Sequence, residues 1–236
     1  MTRHANTLAR LRADRGGVAM LEFALSLPIV LALGLYGIET ANLALLNLKI
    51  SQITLALADN ASRVGTTNTL SQQQLREVDM NDVLQAARLQ GAGINLMTNG
   101  RITISSLENV QQSYDTAPVQ RIHWQRCAGL KSGTAYDSSY GATSSNDGSD
   151  GTQANDGILA PNGMGDANAM VSAPSGSGVM FVEVNYLYTP LVGYGIFTPS
   201  RIHYVASFIV RDRRVFTQIY NPSPTATAST CNRYTA

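Results

Sequence analysis

The chain has 236 residues, of which 14% are charged against the ~25% of ordinary soluble domains. Its net charge of +1 excludes nucleic-acid binding driven by global charge. The charge is unevenly placed: residues 1–17 carry Arg3, Arg10, Arg12 and Arg15 against Asp14 alone, a net of +3, and the remainder carries −2. A basic head followed by an apolar run is a targeting pattern.

The apolar run spans Val18 to Ile38, 21 residues with Glu22 as their one charge. As a helix it would be roughly 31 Å long, matching the ~30 Å hydrocarbon core of a bilayer. It is longer than the ~7–15-residue core of a secretory signal peptide and lacks an Ala-x-Ala exit. Pro28 removes one helical hydrogen bond, which membrane helices tolerate. The arginines precede the span and the next basic residue is Lys49. The positive-inside rule then predicts residues 1–15 in the cytoplasm and everything beyond about Glu39 on the far side. Glu22 is the anomaly, because an isolated carboxylate is costly in lipid and calls for a partner.

No Pro or Gly interrupts Glu39 to Val64. Leu43, Leu46, Ile50, Ile53 and Leu57 recur at spacings of 3 and 4, a heptad-like seam. One helix over 18–63 is therefore expected, ~69 Å long at the usual rise. The seam either meets a partner helix or covers the chain's own sheet, and the two uses are compatible.

Farther on, Ser71 and Gln74 have capping-box spacing, and Leu75, Val78, Val83, Leu84, Ala87 and Leu89 follow at roughly helical intervals. One or two helices over about 70–90 are expected, stopped by Gly91 and Gly93. The period then changes to two. Ile102 and Ile104 alternate with Thr103 and Ser105. Ile122 and Trp124 share one face of a strand, with Arg121, His123 and Gln125 on the other. Met180, Val182, Val184, Tyr186 and Tyr188 form a third apolar face, and Ile202, Tyr204, Ala206, Phe208 and Val210 a fourth. Four such strands predict a small antiparallel sheet covered on one side by helix, an α+β fold.

Residues 130–178 are rich in Gly, Ser, Asn and Asp and carry too little apolar surface to order themselves, so a flexible surface loop is expected. Asn146–Gly157 resembles a calcium loop only in Gly151 at the sixth place; Gly148 and Gly157 fail the third and twelfth. The last 20 residues form an extended polar tail. That tail holds Cys231, and on an exported chain a disulfide to Cys127 is expected.

No catalytic constellation appears. There is no Cys-x-x-Cys, no His pair at metal spacing, no phosphate loop and no nucleophile elbow. His123 and His203 are expected to be strand residues. No cofactor, no metal and no enzymatic activity are predicted.

The order of features resembles a type IV prepilin. A basic leader ends in Gly17; Val18, Ala19, Met20 and Leu21 follow; Glu22 is the fifth residue after that glycine and Phe23 the next. The closer similarity is to the TadE-like family, minor pilins (pseudopilins) of the tight-adherence or Flp pilus system. Gly17, Glu22, Phe23, Ala24 and Pro28 carry that resemblance, with weaker echoes in "ADNASRVG" at the helix end and "FIVRDRR" near the C-terminus. Its strong part covers about residues 15–60. The exported region is large where Flp major pilins are little more than a helix, which points to a minor subunit.

The resemblance implies cleavage between Gly17 and Val18 by a prepilin peptidase. It implies that Glu22 is the assembly charge, meeting a neighbouring subunit's new N-terminal amine. Implied partners are that peptidase, sister pseudopilins, the Flp pilin, the inner-membrane assembly platform and membrane lipid, with no nucleic acid. The expected location is the bacterial inner membrane, single-pass, with a periplasmic C-terminal domain that can enter the pilus. The chain then divides into a cytoplasmic leader (1–17), a transmembrane helix (18–38), its continuation (39–64), helix and first strands (65–129), the loop (130–178), last strands (179–216) and the tail (217–236). The competing expectation is a single-span anchored domain that binds a ligand outside any filament.

Overall fold

The computed structural model describes residues 16–67, 72–192 and 197–236. The leader up to Arg15, and Ser71 of the expected capping box, lie outside them. The chain has two compact units: Met1–Leu45 with Pro190–Thr198, and Leu46–Thr189 with Pro199–Ala236.

A 48-residue helix, α1 (Gly16–Arg63), contributes to both. Its part in the first unit is long and apolar enough to cross a membrane, and every residue from Gly16 to Ile38 is exposed. Its part in the second unit uses the heptad-like seam at home. Ile50, Ile53 and Leu57 are buried with Ala58 and Ala61, and Leu46 is half-buried. Those three buried seam residues are packed in the chain's own core. Leu48 and Leu55, seven residues apart and so on one side of the helix, are the exposed ones.

Helix α1 ends against Arg214. The guanidinium donates to the carbonyls of Ala61 (3.4 Å), Ser62 (3.3 Å) and Val64 (2.7 Å). These are among the acceptors that a helix C-terminus leaves unpaired. The two weak sequence echoes, "ADNASRVG" and "FIVRDRR", thus meet in one contact.

Two short antiparallel strands follow, β1 (Thr66–Thr67) and β2 (Gln73–Gln74). Gln74 therefore belongs to a strand and does not cap a helix. Helix α2 (Glu77–Gln90) starts three residues later on a different pair: the Asp79 carboxylate accepts the Arg76 backbone N–H (3.0 Å) and its guanidinium (2.7 Å). Met80, Val83, Leu84 and Ala87 are buried, whereas Val78 and Leu89 face outward. Gly91 closes the helix as expected. A single turn (Ala92–Ile94) and α3 (Leu96–Asn99) lead into the sheet.

The four expected strands are present as β3 (Gly100–Val110), β4 (Val119–Ala128), β6 (Ser177–Tyr188) and β7 (Ser200–Ile209). A fifth, β5 (Ile158–Leu159), comes from within 130–178. The sheet is antiparallel in the order β5-β4-β3-β6-β7. Short helices pack on it: Arg126 of β4 donates through Nε to Glu77 Oε2 of α2 (2.9 Å), with a second contact from Nη2 to Oε1, both residues buried. The architecture is α+β.

One face assignment needs correction. Trp124 lies opposite Ser106, but Ile122 lies opposite Leu107, with His123 as the extra residue of a register shift. Successive residues of β3 point to opposite faces, so Trp124 and Ile122 do too. Ile122 joins Leu107, Val179 and Phe181 in a second core.

That second core is closed by residues 130–178, which do not form the expected flexible loop. Ala160, Met164 and Ala173 are buried in it, and the Tyr140 ring packs edge-on against Phe181 at 5.6 Å. Polar strand residues tie down the rest. Gln120 donates to the Ala160 carbonyl (3.0 Å) and accepts the Ala173 N–H (2.9 Å). Gln125 accepts the Thr143 N–H (2.9 Å), and Glu183 accepts the hydroxyls of Ser138 (2.5 Å) and Ser139 (3.2 Å). A segment poor in apolar surface orders itself here because the sheet supplies hydrogen-bond partners as well as a core.

The tail is tied down as well. Cys127 and Cys231 form a disulfide. The Cys127 and Gly129 N–H groups donate to Ser229 (2.7 Å) and Thr235 (2.8 Å) carbonyls, and buried Arg101 donates to those of Cys231 (2.6 Å) and Arg233 (2.9 Å).

Candidate functional site

The residues singled out in the first unit lie on the exposed start of α1. Gly17 and Val18 are in its first turn, with open space around the position a Gly17 side chain would take. The peptide bond between them is flanked by a small residue and is unobstructed by the rest of the described chain. Glu22, Phe23 and Ala24 follow within two turns, all exposed. Among the described residues Glu22 has no hydrogen-bond or ion-pair partner. Pro28 lies inside the helix and has no N–H to donate, so the Ala24 carbonyl loses its regular helical acceptor role. The Ser26 hydroxyl donates to the Phe23 carbonyl one turn back (3.2 Å), a common way for a membrane helix to satisfy such a hydroxyl.

The second carboxylate of the helix is in a different state. Glu39 is 2% exposed, and its Oε2 accepts the backbone N–H groups of Leu191 and Val192, both at 3.0 Å. Both amides come from the connection between β6 and β7, which belongs to the first unit at Pro190–Thr198. Beside this contact the rings of Tyr36 and Phe197 lie 5.8 Å apart. A groove of about 540 Å³ runs along the helix there, walled by Pro28, Ala32, Leu33, Tyr36, Val192 and Phe197 among others. Sequence reasoning used Glu39 only as the end of the apolar run. The available signal was the stretch from Val184 to Ser200, which has no charged residue or histidine.

The second unit holds buried ionisable groups, but in closed arrangements. His123 Nδ1 is 2.9 Å from Glu108 Oε2, and the Ser106 hydroxyl donates to the other Glu108 oxygen (2.6 Å). Burial disfavours the His123 imidazolium, yet the charge and hydrogen bond of Glu108 outweigh it and the pKa is raised. Arg121 bridges Asp156 (2.8 Å) and Asp115 (2.9 Å). His203, on β7, has its pKa lowered by burial and then by Arg201; its Nδ1 is 2.7 Å from Asn185 Oδ1. Among the described residues no three His, Cys, Asp or Glu side chains converge on a point where a metal could sit. Within the calcium-like stretch, Asp150 accepts from Thr152 and Asn155 of its own turn, which lowers its pKa.

The arrangement therefore offers two exposed residues, Gly17 and Val18, in the first helical turn, a carboxylate on an apolar helix with no partner among the described residues, and a second carboxylate already satisfied. No family model, curated protein or solved structure matches the chain.

Proposed function

We propose that this chain is a minor pilin, or pseudopilin, of a tight-adherence (Flp) type IV pilus, cleaved between Gly17 and Val18 and packed into its assembly through α1. The observation that carries the proposal is Glu22: a carboxylate on an exposed apolar helix, five residues after Gly17, with no partner among the described residues. A charge so placed is tolerable in lipid once a partner charge meets it. Cleavage after Gly17 would create such a charge, an α-amine, on each neighbouring subunit.

The basic leader supports a cytoplasmic N-terminus, and the Cys127–Cys231 disulfide supports an oxidising compartment for the second unit, the periplasm of a bacterium. In this function the chain is a substrate of the prepilin peptidase and not itself an enzyme. Its partners are that peptidase, sister pseudopilins, the Flp pilin and the inner-membrane platform. With Ile50, Ile53 and Leu57 occupied at home, Leu45, Leu48 and Leu55 are the exposed leucines of α1 beyond Glu39 left to meet them.

Piliation by a host carrying the tight-adherence machinery tests this. Glu22→Gln keeps the shape of the side chain and removes the charge. It is expected to be cleaved and membrane-anchored normally but to fail in restoring pili to a strain lacking the native gene. Full piliation by Glu22→Gln would overturn the assembly role.

A further inference from the structure

The connection between β6 and β7 lies in the first unit beside the apolar helix, and its contacts there are of an unusual kind. We infer that Leu191, Val192 and Phe197 of this connection are membrane-inserted: they enter the outer leaflet beside α1, acyl chains fill the groove that Val192 and Phe197 line with the helix, and Glu39 pairs the Leu191 and Val192 amides.

Depth along the helix carries the first part. If the span runs from Val18 to Ile38, Glu39 stands at its outer boundary. Tyr36 is three residues deeper, about 4.5 Å, and Ala32 and Leu33 are about 9–10 Å deeper at the usual helical rise. Val192 and Phe197 wall one groove with these residues, so these two side chains lie alongside the span at the depth of acyl chains. Every named wall of that groove is apolar or aromatic, and Leu191, next in sequence to Val192, is 66% exposed. In water such a surface would be a liability; continuous with the lipid-facing side of α1, it is simply more of the same surface. Tyr36, with an apolar ring and a polar hydroxyl, suits the boundary between headgroups and hydrocarbon, and Phe197 packs against it on the apolar side.

Glu39 carries the second part. Irregular backbone does not enter the hydrocarbon region with its N–H groups unpaired. Water would satisfy the Leu191 and Val192 amides on a loop outside the membrane. Here one carboxylate takes both at 3.0 Å, and is itself withdrawn to 2% exposure. Each group removes the other's desolvation cost. The partner is thus a phospholipid bilayer. The inference rests on α1 crossing a bilayer and is independent of cleavage at Gly17.

The test uses the full chain reconstituted in vesicles of phosphatidylcholine and phosphatidylglycerol. Leu191→Trp and Phe197→Trp are each compared with Leu130→Trp, a control in the second unit, after subtraction of the signal from buried Trp124. Lipids brominated near the carboxyl end of the acyl chain are expected to quench the two loop tryptophans at least about twofold more than the control, and aqueous acrylamide is expected to quench them less. Glu39→Ala in the Leu191→Trp background is expected to lose the lipid quenching while still floating with the vesicles. Acrylamide quenching of both loop positions equal to that of the control, with the protein floating, would overturn the inserted loop alone. Retained lipid quenching in Glu39→Ala would overturn the role given to the carboxylate. Failure of the unaltered protein to float with vesicles would overturn the span and the loop together, whatever happens at Gly17.

Discussion

Arg214 Nη2 donates to the carbonyl of Val64 at 2.7 Å, at the point where the long helix gives way to the sheet domain. The same guanidinium reaches the Ala61 and Ser62 carbonyls, and burial lowers its pKa without any carboxylate in direct contact. A charged side chain held by three carbonyls is the helix's C-terminal cap and a link between residues 150 apart in sequence. Arg214→Met is expected to destabilise the second unit by about 2–4 kcal/mol, because the carbonyls are then buried without a donor. Lysine carries its three donors on one nitrogen at the end of a shorter, more strongly hydrated side chain and lacks the second contact that Arg214 Nη1 makes to Ala61, so Arg214→Lys should recover less than half of the loss. Thermal unfolding of the detergent-solubilised chain, followed by circular dichroism, reads both.

Reduction of the Cys127–Cys231 bond should be felt well beyond the tail. The bridge spans 104 residues. On the chain-entropy account a loop of that size contributes on the order of 4–5 kcal/mol, and native strain reduces this. Cys231→Ser is therefore expected to lower the unfolding midpoint clearly and to make the tail sensitive to protease. Arg101, buried beneath the tail, loses its acceptors on Cys231 and Arg233 when the tail lifts. Equal midpoints with and without reductant would show that the hydrogen bonds alone hold the segment.

The pair Glu108–His123 gives the second unit a signed response to pH. The folded pKa of His123 is raised above its ordinary 6.5. Its contribution is then fully present below about pH 6.5 and is lost as pH rises through the raised folded value. Each tenfold change in proton affinity corresponds to about 1.4 kcal/mol. The groups facing His123 electrostatically are Glu108, Asp156 and Arg121. His203 acts oppositely: its folded pKa is lowered, so its contribution is present above about 6.5 and lost as pH falls through the lowered value. Glu108→Gln should therefore cost most near about pH 6 and progressively less toward about pH 9. A cost that grew with pH would contradict the sign.

Gly157 is required by backbone as well as space. Its φ is +81°, and a side-chain carbon there would lie 2.0 Å from the Ile122 carbonyl oxygen. Gly157→Ala is expected to detach β5 from β4 and to cost about 2–3 kcal/mol, more than the left-handed conformation alone. Faster amide exchange at Ile158 and Leu159, with β3 unchanged, would be the signature.

The long helix, the four main strands and the pairing of Cys127 with Cys231 were legible because each leaves a local mark: hydropathy, alternation, or an odd residue in a polar tail. What failed was set by tertiary context. The extra residue His123 turns Ile122 away from Trp124, and nothing in the period of that strand announces it. The Asp79–Arg76 cap outcompetes the Ser71–Gln74 spacing because Gln74 is drawn into a strand with Thr66. Residues 130–178 look unable to fold when judged by composition alone. Their order depends on acceptors and donors far along the chain, such as Gln120, 53 residues from Ala173, and Glu183, 45 residues from Ser138, which composition does not count. The exposed place of Glu22 on an apolar helix was legible from its neighbours in sequence. The role of Glu39 was not, since its partners are 152 and 153 residues downstream.

Whether α1 begins a processed pilin subunit, as proposed, can be read from the mature N-terminus. The membrane-bound protein would be isolated from cells with and without the prepilin peptidase, and its intact mass and first residues determined. A chain starting at Val18 is expected only where the peptidase is active, and an uncut chain for Gly17→Arg. A leader still attached beside an active peptidase would contradict it, and the exposed carboxylate of Glu22 would then require another partner.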